Sequence, residues 1–194
     1  MLARSGSFPL GSGYGFEVKW DGFRALVDSR NGITIRSRRG WDMTDMVPEI
    51  QGFPARGIFD GELIAFDNEG RPSFPVLCDR VLHRRSTAPL MYAIFDVLEL
   101  EGRATAPLPY RERRGILEAL DLGGGGWFTP DVYDDGPALF AAVVEAGLEG
   151  IVAKRLTDPY KPGERGWVKI KNRAYWRFAQ ERDARARQRE KLTI

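Results

Sequence analysis

The stretch that decides the fold of this chain is Glu17-Val18-Lys19-Trp20-Asp21-Gly22-Phe23-Arg24. Apolar and polar side chains alternate along it, which predicts a strand with Phe16, Val18 and Trp20 on one face. The polar residues of the other face are Glu17, Lys19 and Asp21. A tight turn is predicted at Asp21-Gly22, because glycine tolerates the positive φ that such turns need. The sequence thus predicts a lysine near a turn, with carboxylates on its own face and an arginine just beyond, and these surroundings suit a nucleophilic lysine.

The rest of the chain predicts strands and helices in mixed order. Strand patterns cover residues 14–20, 23–29, 32–37, 57–67, 91–98, 150–154 and 166–171, and helical patterns cover 44–50, 73–82, 110–120, 136–146 and 174–191. Asn31-Gly32 is a hairpin signal, Ser73 is a candidate helix cap, and Gly123–Gly126 is predicted to be a loop. Because strands and helices do not alternate strictly, the predicted fold class is α+β, with mainly antiparallel sheets flanked by helices.

The length and composition of the chain suggest its domain organisation. Its 194 residues suffice for one large domain. Residues 1–13 are rich in serine and glycine and are predicted to be an extended lead-in to a main domain over residues 14–172. Residues 173–194 are predicted to be a basic C-terminal helix, with a solvated or frayed end as the alternative. No run of about 18 apolar residues is present, and residues 1–15 lack the apolar core of a signal peptide. We therefore expect a cytoplasmic protein with no membrane partner.

Composition also excludes several kinds of site. Lys and Arg total 29 against 27 Asp and Glu, so the net charge of +2 does not by itself indicate a polyanionic partner. Cys78 is the one cysteine, which excludes an internal disulfide and a cysteine-based zinc cluster. His83 is the one histidine, which excludes a histidine metal cluster and a histidine-based catalytic triad.

Four further segments place polar residues within apolar strands. They are Phe59–Glu62, Phe95-Asp96, Glu149–Lys154 and Trp167–Lys171. Because charged residues are rarely buried without a partner, such strands are expected to turn these side chains toward a polar cleft. Together with the Lys19 segment they supply lysines, an arginine, carboxylates and aromatic rings. That set of groups suits a nucleotide phosphate, a divalent metal and a flat base.

In this order and with comparable gaps, the five segments resemble nucleotidyltransferase motifs I, III, IIIa, IV and V. These motifs characterise the superfamily of ATP-dependent polynucleotide ligases and mRNA capping enzymes. Glu17–Arg24, Ser37–Gly40 and Trp167–Asn172 most resemble bacterial ATP-dependent DNA ligases of the end-joining type. The resemblance spans about residues 14–172, and it implies an adenylation domain of nucleotidyltransferase fold with a nucleotide cleft between its sheets.

The resemblance implies a covalent role for Lys19. It would attack the α-phosphate of ATP and hold AMP through a phosphoramide bond. An ordinary lysine has a pKa of about 10.4, so the pKa of Lys19 is expected to be lowered by burial and by the charges of Lys169 and Lys171. The same two lysines are expected to bind the α-phosphate and to stabilise charge as pyrophosphate leaves. Asp21 is expected to orient Lys19.

The resemblance also assigns residues to the nucleotide, the metal and the DNA. The expected nucleotide contacts are Arg24 and Glu62 to the ribose, Phe95 and Val152 on either side of the adenine, Glu17 to its exocyclic amine, and Lys154 to phosphate. Mg²⁺ prefers oxygen ligands and would be held by Glu62 and Glu149. Arg38 would grip the phosphate of a nicked DNA strand.

One feature of the family is missing from this sequence. Complete two-domain enzymes continue into an OB-fold domain of five strands, and this chain ends about 20 residues after the motif V segment. An excised catalytic domain, a minimal natural protein, and completion by an OB-domain or repair partner in trans all remain open. We expect slow self-adenylation and weak nick sealing from the chain alone. The expected partner is DNA with a 5′-phosphate nick or end, and the expected oligomeric state is monomeric.

Other functions are compatible with the same residues. An RNA ligase or a GTP-dependent capping guanylyltransferase would keep the fold and change the substrate. A nucleotide- or nick-binding module without catalysis would keep the cleft and lose turnover. Individual residues also have plainer interpretations: Phe95 as a core aromatic, Asp60 and Glu62 as a solvated strand face, and Arg38 as a basic hairpin end.

Overall fold

The computed structural model describes residues 1–178, and within them two β-sheets pack with three α-helices. The strands are β1 (Ala3–Ser5), β2 (Tyr14–Val18), β3 (Phe23–Asp28), β4 (Thr34–Ser37), β5 (Gly57–Ala65), β6 (Leu90–Leu100), β7 (Arg103–Ala104), β8 (Gly123–Gly124), β9 (Trp127–Phe128), β10 (Gly150–Arg155) and β11 (Trp167–Lys171). The helices are α1 (Phe74–Val81), α2 (Tyr110–Ala119) and α3 (Gly136–Glu145). The predicted helix over residues 174–191 lies mostly outside the described residues. Across residues 1–178, each helix is too short or too polar to span a bilayer.

The two sheets confirm the α+β prediction. The smaller sheet has the strand order β1-β11-β10-β2, and the larger has the order β4-β3-β5-β6-β9-β8, with β7 paired to β6. Among the named strands of residues 1–178, all pairs are antiparallel except β1 with β11 and β6 with β9. The chain passes from the smaller sheet to the larger one between β2 and β3, directly after Lys19. This crossover places Lys19 between the sheets.

The predicted hairpin signal at Asn31-Gly32 works, and two further residues mark the ends of α3. The β3–β4 hairpin turns at Gly32, whose φ of 93° is the conformation that glycine permits. Asp135 caps α3 by accepting a hydrogen bond from the Ala138 backbone N–H at 2.9 Å. Gly147 follows the end of α3 with a φ of 65°.

Other local predictions need correction. The predicted helix over residues 44–50 is instead two short 3₁₀ turns, Thr44–Met46 and Pro48–Ile50. Ser73 precedes α1, but its side chain makes no capping hydrogen bond. Gly123–Gly126 is not a plain loop, because β8 starts it and pairs with β9. Residues 3–5 of the predicted lead-in form β1, which joins the edge of the smaller sheet beside β11.

Gly22 is needed for a reason that differs from the predicted one. Its φ is not among the positive values of the chain. A Cβ at this position would instead lie 2.1 Å from the carbonyl oxygen of Leu63 and 2.9 Å from the Glu62 side chain. The turn therefore requires glycine because β5 passes directly against the backbone. The loop that carries Lys19 is pressed onto the strand that carries Glu62.

Two of the three hydrophobic clusters found among residues 1–178 form the main cores behind the sheets. The larger core lies against the seven-stranded sheet, and Tyr92 is fully buried at its centre. The Tyr92 hydroxyl lies 3.1 Å from the carbonyl of Ala25 and 3.0 Å from that of Phe59, so the buried hydroxyl group is satisfied. The smaller core packs α3 against the four-stranded sheet through residues such as Val143 and Ile151. Each strand that carries a predicted site residue is thus backed by a packed core.

Candidate active site

A cleft of about 570 Å³ lies between the two sheets. Nine of the twelve sequence-predicted site residues line it: Glu17, Lys19, Arg24, Arg38, Glu62, Phe95, Val152, Lys154 and Lys169. The other three, Asp21, Glu149 and Lys171, line an adjoining pocket of about 270 Å³. Lys19, Glu62 and Lys169 border both cavities. The structure therefore brings all twelve predicted residues to one continuous region.

Lys19 lies at the junction of these two cavities. Its backbone N–H donates to the Gly150 carbonyl at 2.8 Å, which extends the β2–β10 pairing by one residue. Its Nζ donates to Glu149 Oε2 at 2.5 Å, and the other oxygen of Glu149 lies 2.7 Å from Lys171 Nζ. The Glu149 side chain is 4% exposed and that of Lys19 is 22% exposed. One buried carboxylate thus links two lysines, and one of these lysines faces the cleft.

The pKa of Lys19 is shifted in the direction opposite to the predicted one. Burial is the largest single cause and lowers the pKa, but the Glu149 carboxylate and then Glu62 raise it. The net result is a pKa above the ordinary lysine value. The prediction of a lowered pKa is therefore wrong for this arrangement, because it counted burial and neighbouring lysines without the carboxylates. The amine is held as an ammonium ion that donates to Glu149.

Glu62 shows the opposite balance of burial and charge. Burial raises its pKa to about 8, although Lys19 and Arg24 both act to lower it. A carboxyl group with this pKa is mostly protonated at neutral pH, and a further positive charge beside it favours its ionised form. Mg²⁺ is commonly held by one or two carboxylates together with substrate phosphates. Glu62 and Glu149 both border the pocket beside Lys19, so the donor set fits such an ion.

Arg24 is fixed in the cleft by a carboxylate beneath it. Its Nε and Nη2 donate to the two oxygens of Asp60 at 2.9 and 2.5 Å, and Nη2 also lies 3.1 Å from the Tyr160 hydroxyl. The guanidinium is 5.6 Å from the ring centre of Phe95 and 5.2 Å from that of Trp167. A paired and stacked arginine is held in one orientation. The structure thus places Arg24 beside the predicted base site, and it adds Tyr160, which no sequence pattern singled out.

Two acidic residues that were expected to point into a polar cleft are buried instead. Asp60 is 1% exposed and serves as the partner of Arg24. Asp96 is also 1% exposed, and it accepts two hydrogen bonds from Arg113 at 2.7 and 2.9 Å. Arg113 also donates to the Leu108 carbonyl at 2.6 Å. The solvated-face interpretation of Asp60 is therefore wrong, because the carboxylate forms a buried ion pair below the cleft.

Glu17 and Lys154 form a second lysine–glutamate pair away from Lys19. Their closest atoms, Glu17 Oε1 and Lys154 Nζ, are 2.6 Å apart, and the side chains are 4% and 2% exposed. The Tyr110 hydroxyl also donates to Glu17. Lys154 Nζ lies 4.5 Å from the ring centres of both Phe95 and Trp167. Burial lowers the pKa of Lys154, and the Glu17 carboxylate acts in the opposite direction.

The predicted base site lies beside this second pair. Phe95 projects from β6 and Val152 from β10, and both line the cleft. Val152 is paired in register with Glu17, so these two residues adjoin the same part of the cavity. Lys154 is four residues beyond Gly150 along β10, or about 13 Å from the Lys19 end of the strand. The structure therefore places Lys154 with the base-site residues and not with Lys19.

Asp21 and Arg38 occupy different edges of the region. The Asp21 carboxylate accepts a hydrogen bond from the Tyr175 hydroxyl at 2.7 Å and pairs with Arg177. Its hydrogen bonds therefore go to these two residues and not to Lys19, which Asp21 was predicted to orient. Arg38 is exposed at the end of β4 and borders the cleft. The strand patterns did not reveal Tyr175 or Arg177, since they lie after the last predicted strand.

The comparisons with known proteins agree on one family. Residues 8–171 match the family described as ATP dependent DNA ligase domain. This chain belongs to that family.

Individual relatives place the chain more closely within the family. It is 39% identical over 182 residues to the multifunctional non-homologous end joining protein LigD of Mycolicibacterium smegmatis, and the match covers 88% of this chain and 23% of that protein. It is 31% identical over 165 residues to the SPbeta prophage-derived DNA ligase-like protein LigB of Bacillus subtilis, covering 82% of this chain and 61% of that one. The chain therefore spans about a quarter of the LigD relative.

Solved structures show the same likeness. The ligase domain of Mycobacterium tuberculosis LigD matches with a TM-score of 0.76 and 32% identity, over 88% of this chain and 59% of that one. A mycobacterial DNA ligase D complexed with ATP and MES matches with a TM-score of 0.74 and 32% identity, with the same coverage. These matches confirm the predicted nucleotidyltransferase fold.

Proposed function

We propose that this chain is the adenylation domain of an ATP-dependent DNA ligase, with residues 14–172 as its functional core. In this proposal Lys19 forms a covalent bond to AMP and then passes the AMP to the 5′-phosphate of a DNA strand. The position of Lys19 carries the proposal: its amine borders two adjoining cavities that contain every other predicted site residue. The similarity to a ligase D whose structure holds ATP supports ATP as the nucleotide.

The covalent step starts with the amine of Lys19. Its Nζ attacks the α-phosphorus of ATP, a P–N bond forms, the bond between the α-phosphorus and its bridging oxygen breaks, and pyrophosphate leaves. The proton on Nζ has a near acceptor, because Glu149 Oε2 lies 2.5 Å away. Lys169 and Lys171 border the same pocket and supply positive charge where negative charge develops. In the second step, an oxygen of a DNA 5′-phosphate attacks the phosphorus, a P–O bond forms, the P–N bond breaks, and Lys19 leaves as an amine that takes up a proton.

The remaining residues hold the nucleotide in place for this attack. Phe95 and Val152 border the part of the cleft where a flat base fits, with Glu17 beside them to meet its exocyclic amine. Arg24, fixed by Asp60, is oriented for the ribose. Lys154 neutralises Glu17 beneath the base and, in this proposal, makes no phosphate contact of its own.

Magnesium completes the proposed site. Glu62 and Glu149 would hold the ion, which when bound supplies positive charge to the phosphates. Glu149 accepts the Lys19 hydrogen bond in the structure, and it would have to share its carboxylate between Lys19 and a bound ion. Glu62 would be drawn into its ionised form by the ion.

The DNA assignment rests on the family and on one exposed side chain. The relatives are DNA ligases by name, and the LigD proteins are named for non-homologous end joining. We propose the same substrate class here, with DNA repair as the setting. Arg38 stands exposed at the rim of the cleft, where it is placed to contact a phosphate of the nicked strand.

A mass measurement tests the proposal directly. The chain is incubated with Mg²⁺ and either ATP or GTP, and the intact mass is followed before and after pyrophosphate is added. We expect a gain of one AMP from ATP, mapped to Lys19 by peptide sequencing and reversed by pyrophosphate. Transfer is then tested with a nicked duplex that carries a 5′-phosphate, alongside the same duplex made with an RNA strand.

Each rival function predicts a different result. An adduct formed from GTP alone would indicate a capping-type guanylyltransferase. Transfer of AMP only to the RNA-containing duplex would indicate an RNA ligase. No adduct with either nucleotide would overturn the proposed activity and favour a binding module.

A further inference from the structure

The loop that carries Lys19 is held at three points. Lys19 N–H is bonded to the Gly150 carbonyl at one end, and Gly22 is pressed against the Leu63 carbonyl at the other. Between these points, the side chain of Asp21 provides the third attachment. Its carboxylate accepts a hydrogen bond from the Tyr175 hydroxyl at 2.7 Å and an ion pair from Arg177, whose Nη1 lies 2.5 Å from Oδ2.

Both partners of Asp21 come from the segment that follows β11. This segment begins at Asn172, which is 3% exposed and whose Nδ2 donates to the Leu148 carbonyl at 3.0 Å. The Asn172 backbone N–H donates to the Glu149 carbonyl at 2.9 Å. The segment is therefore tied to the residue that pairs with Lys19 before it reaches Asp21. Tyr175 and Arg177 lie beyond residues 8–171, which are the residues that match the family.

The contact between Asp21 and Arg177 is sheltered from solvent. The Asp21 side chain is 11% exposed and that of Arg177 is 18% exposed. The Arg177 guanidinium lies 3.5 Å from the ring centre of Phe74, at the start of α1. An arginine that is both paired and stacked holds its partner in one direction. Asp21 is two residues from Lys19, so this direction fixes the loop from which the amine projects.

We propose that Tyr175 and Arg177 are positioning residues for the adenylation step, which hold Asp21 and thereby fix the loop that presents Lys19. The inference rests on the proposed function of Lys19. It assigns a role in catalysis to a segment outside the family match. A misplacement of about 1 Å can cost about a hundredfold in rate. Loss of the contacts that Tyr175 and Arg177 make with Asp21 is therefore expected to lower the rate of adduct formation without weakening ATP binding.

The test measures single-turnover adduct formation by the full chain over a range of ATP concentrations. Arg177→Met keeps a long side chain over Phe74 and removes the charge. We expect its maximal rate to fall about tenfold to about a hundredfold, with the ATP concentration for half-maximal rate unchanged. Arg177→Lys keeps the charge without the planar group and should recover part of the rate. Arg173→Met removes an exposed positive charge from the same segment and serves as the matched control.

A double-variant cycle shows whether Arg177 acts through Asp21. If it does, Asp21→Asn combined with Arg177→Met is no slower than the slower single variant. Independent contributions would multiply instead and would overturn the proposal, as would an Arg177→Met rate equal to that of wild type. If Arg177→Met fails to fold in a thermal melt, Tyr175→Phe removes a single hydroxyl and is tested in the same cycle with Asp21→Asn. A wild type without any adduct contradicts the proposed function itself, which separates the two failures.

Discussion

The two lysine–glutamate pairs along the β2–β10 ladder consist of the same residue types but differ in exposure and in the pKa of the lysine. Lys19 follows β2 and pairs with Glu149 at the start of β10, whereas Glu17 lies on β2 and pairs with Lys154 from β10. The Lys19 side chain is 22% exposed and its pKa is raised, because carboxylates outweigh burial. The Lys154 side chain is 2% exposed and its pKa is lowered by burial.

If Lys19 is the nucleophile, as we propose, then a lowered pKa alone would point to the wrong lysine. Lys154 has the more easily neutralised amine, but the rings of Phe95, Tyr110 and Trp167 all lie within 4.9 Å of its Nζ. Lys19 has the amine that is harder to neutralise, and it faces the cavities. Access to the substrate therefore distinguishes the two lysines. In the proposed mechanism the neutral amine of Lys19 forms by loss of a proton, for which Glu149 Oε2 at 2.5 Å is the near acceptor.

The largest expected effect is the loss of adduct formation when Lys19, and not Lys154, is changed. Lys19→Arg keeps a positive charge beside Glu149, but a guanidinium stays protonated at any relevant pH and cannot attack phosphorus. We expect no AMP adduct by intact mass, with a thermal melt close to that of wild type. An AMP adduct in this variant would mean that another residue, with Lys154 as the first candidate, is the nucleophile.

The second largest expected effect is on the free energy of unfolding and concerns the Glu17–Lys154 pair. Lys154→Met leaves the buried Glu17 carboxylate without its cation, and breaking such a pair costs about 3–5 kcal/mol. We expect the free energy of unfolding, measured by urea denaturation, to fall by about that amount. The double variant Glu17→Gln, Lys154→Met removes both charges and should recover most of the loss. Equal stability of the single and double variants would contradict a buried pair.

The composition of the site was predictable from the sequence because five polar segments lie in visible strand patterns and resemble, in order, the nucleotidyltransferase motifs. Glu17, Lys169 and Lys171 each lie on a strand whose pattern was visible, and all three border the cavities. The direction of the Lys19 pKa shift was not predictable in this way. It depends on Glu149, which is 130 residues away in sequence and 2.5 Å away in space. Spacing alone does not give such a distance.

Other parts of the molecule carried no usable sequence signal. The three residues of β1 are too few to show a period, and their pairing depends on the edge that β11 offers. Tyr175 and Arg177 follow the last strand in a segment with no strand pattern. Asp60 read as one polar residue of a strand, and only its contact with Arg24 shows why it is buried. In each case the deciding partner is distant in sequence.

A smaller effect concerns the pH dependence of the Lys19 pair. Adduct formation needs the neutral amine, and pairing with carboxylates holds the pKa of Lys19 above its ordinary value. As long as the pH is below that pKa, the neutral fraction of the amine rises about tenfold for each unit by which the pH increases. We therefore expect the single-turnover rate, at saturating ATP and Mg²⁺, to rise steadily from about pH 6 to about pH 8. A rate that is level over this range would show that the amine is already neutral there.

The smallest expected effect makes the comparison most direct, because the same substitution is made in both pairs. Lys19→Met removes one cation from Glu149, but Lys171 Nζ remains 2.7 Å from the other carboxylate oxygen. Glu149 therefore keeps a partner, unlike Glu17 in the Lys154→Met variant. We expect Lys19→Met to lower the free energy of unfolding by only about 1 kcal/mol, the net contribution of one hydrogen bond, because Lys171 still neutralises Glu149. A loss as large as that of Lys154→Met would mean that Lys171 does not compensate Glu149, and that both pairs are structural.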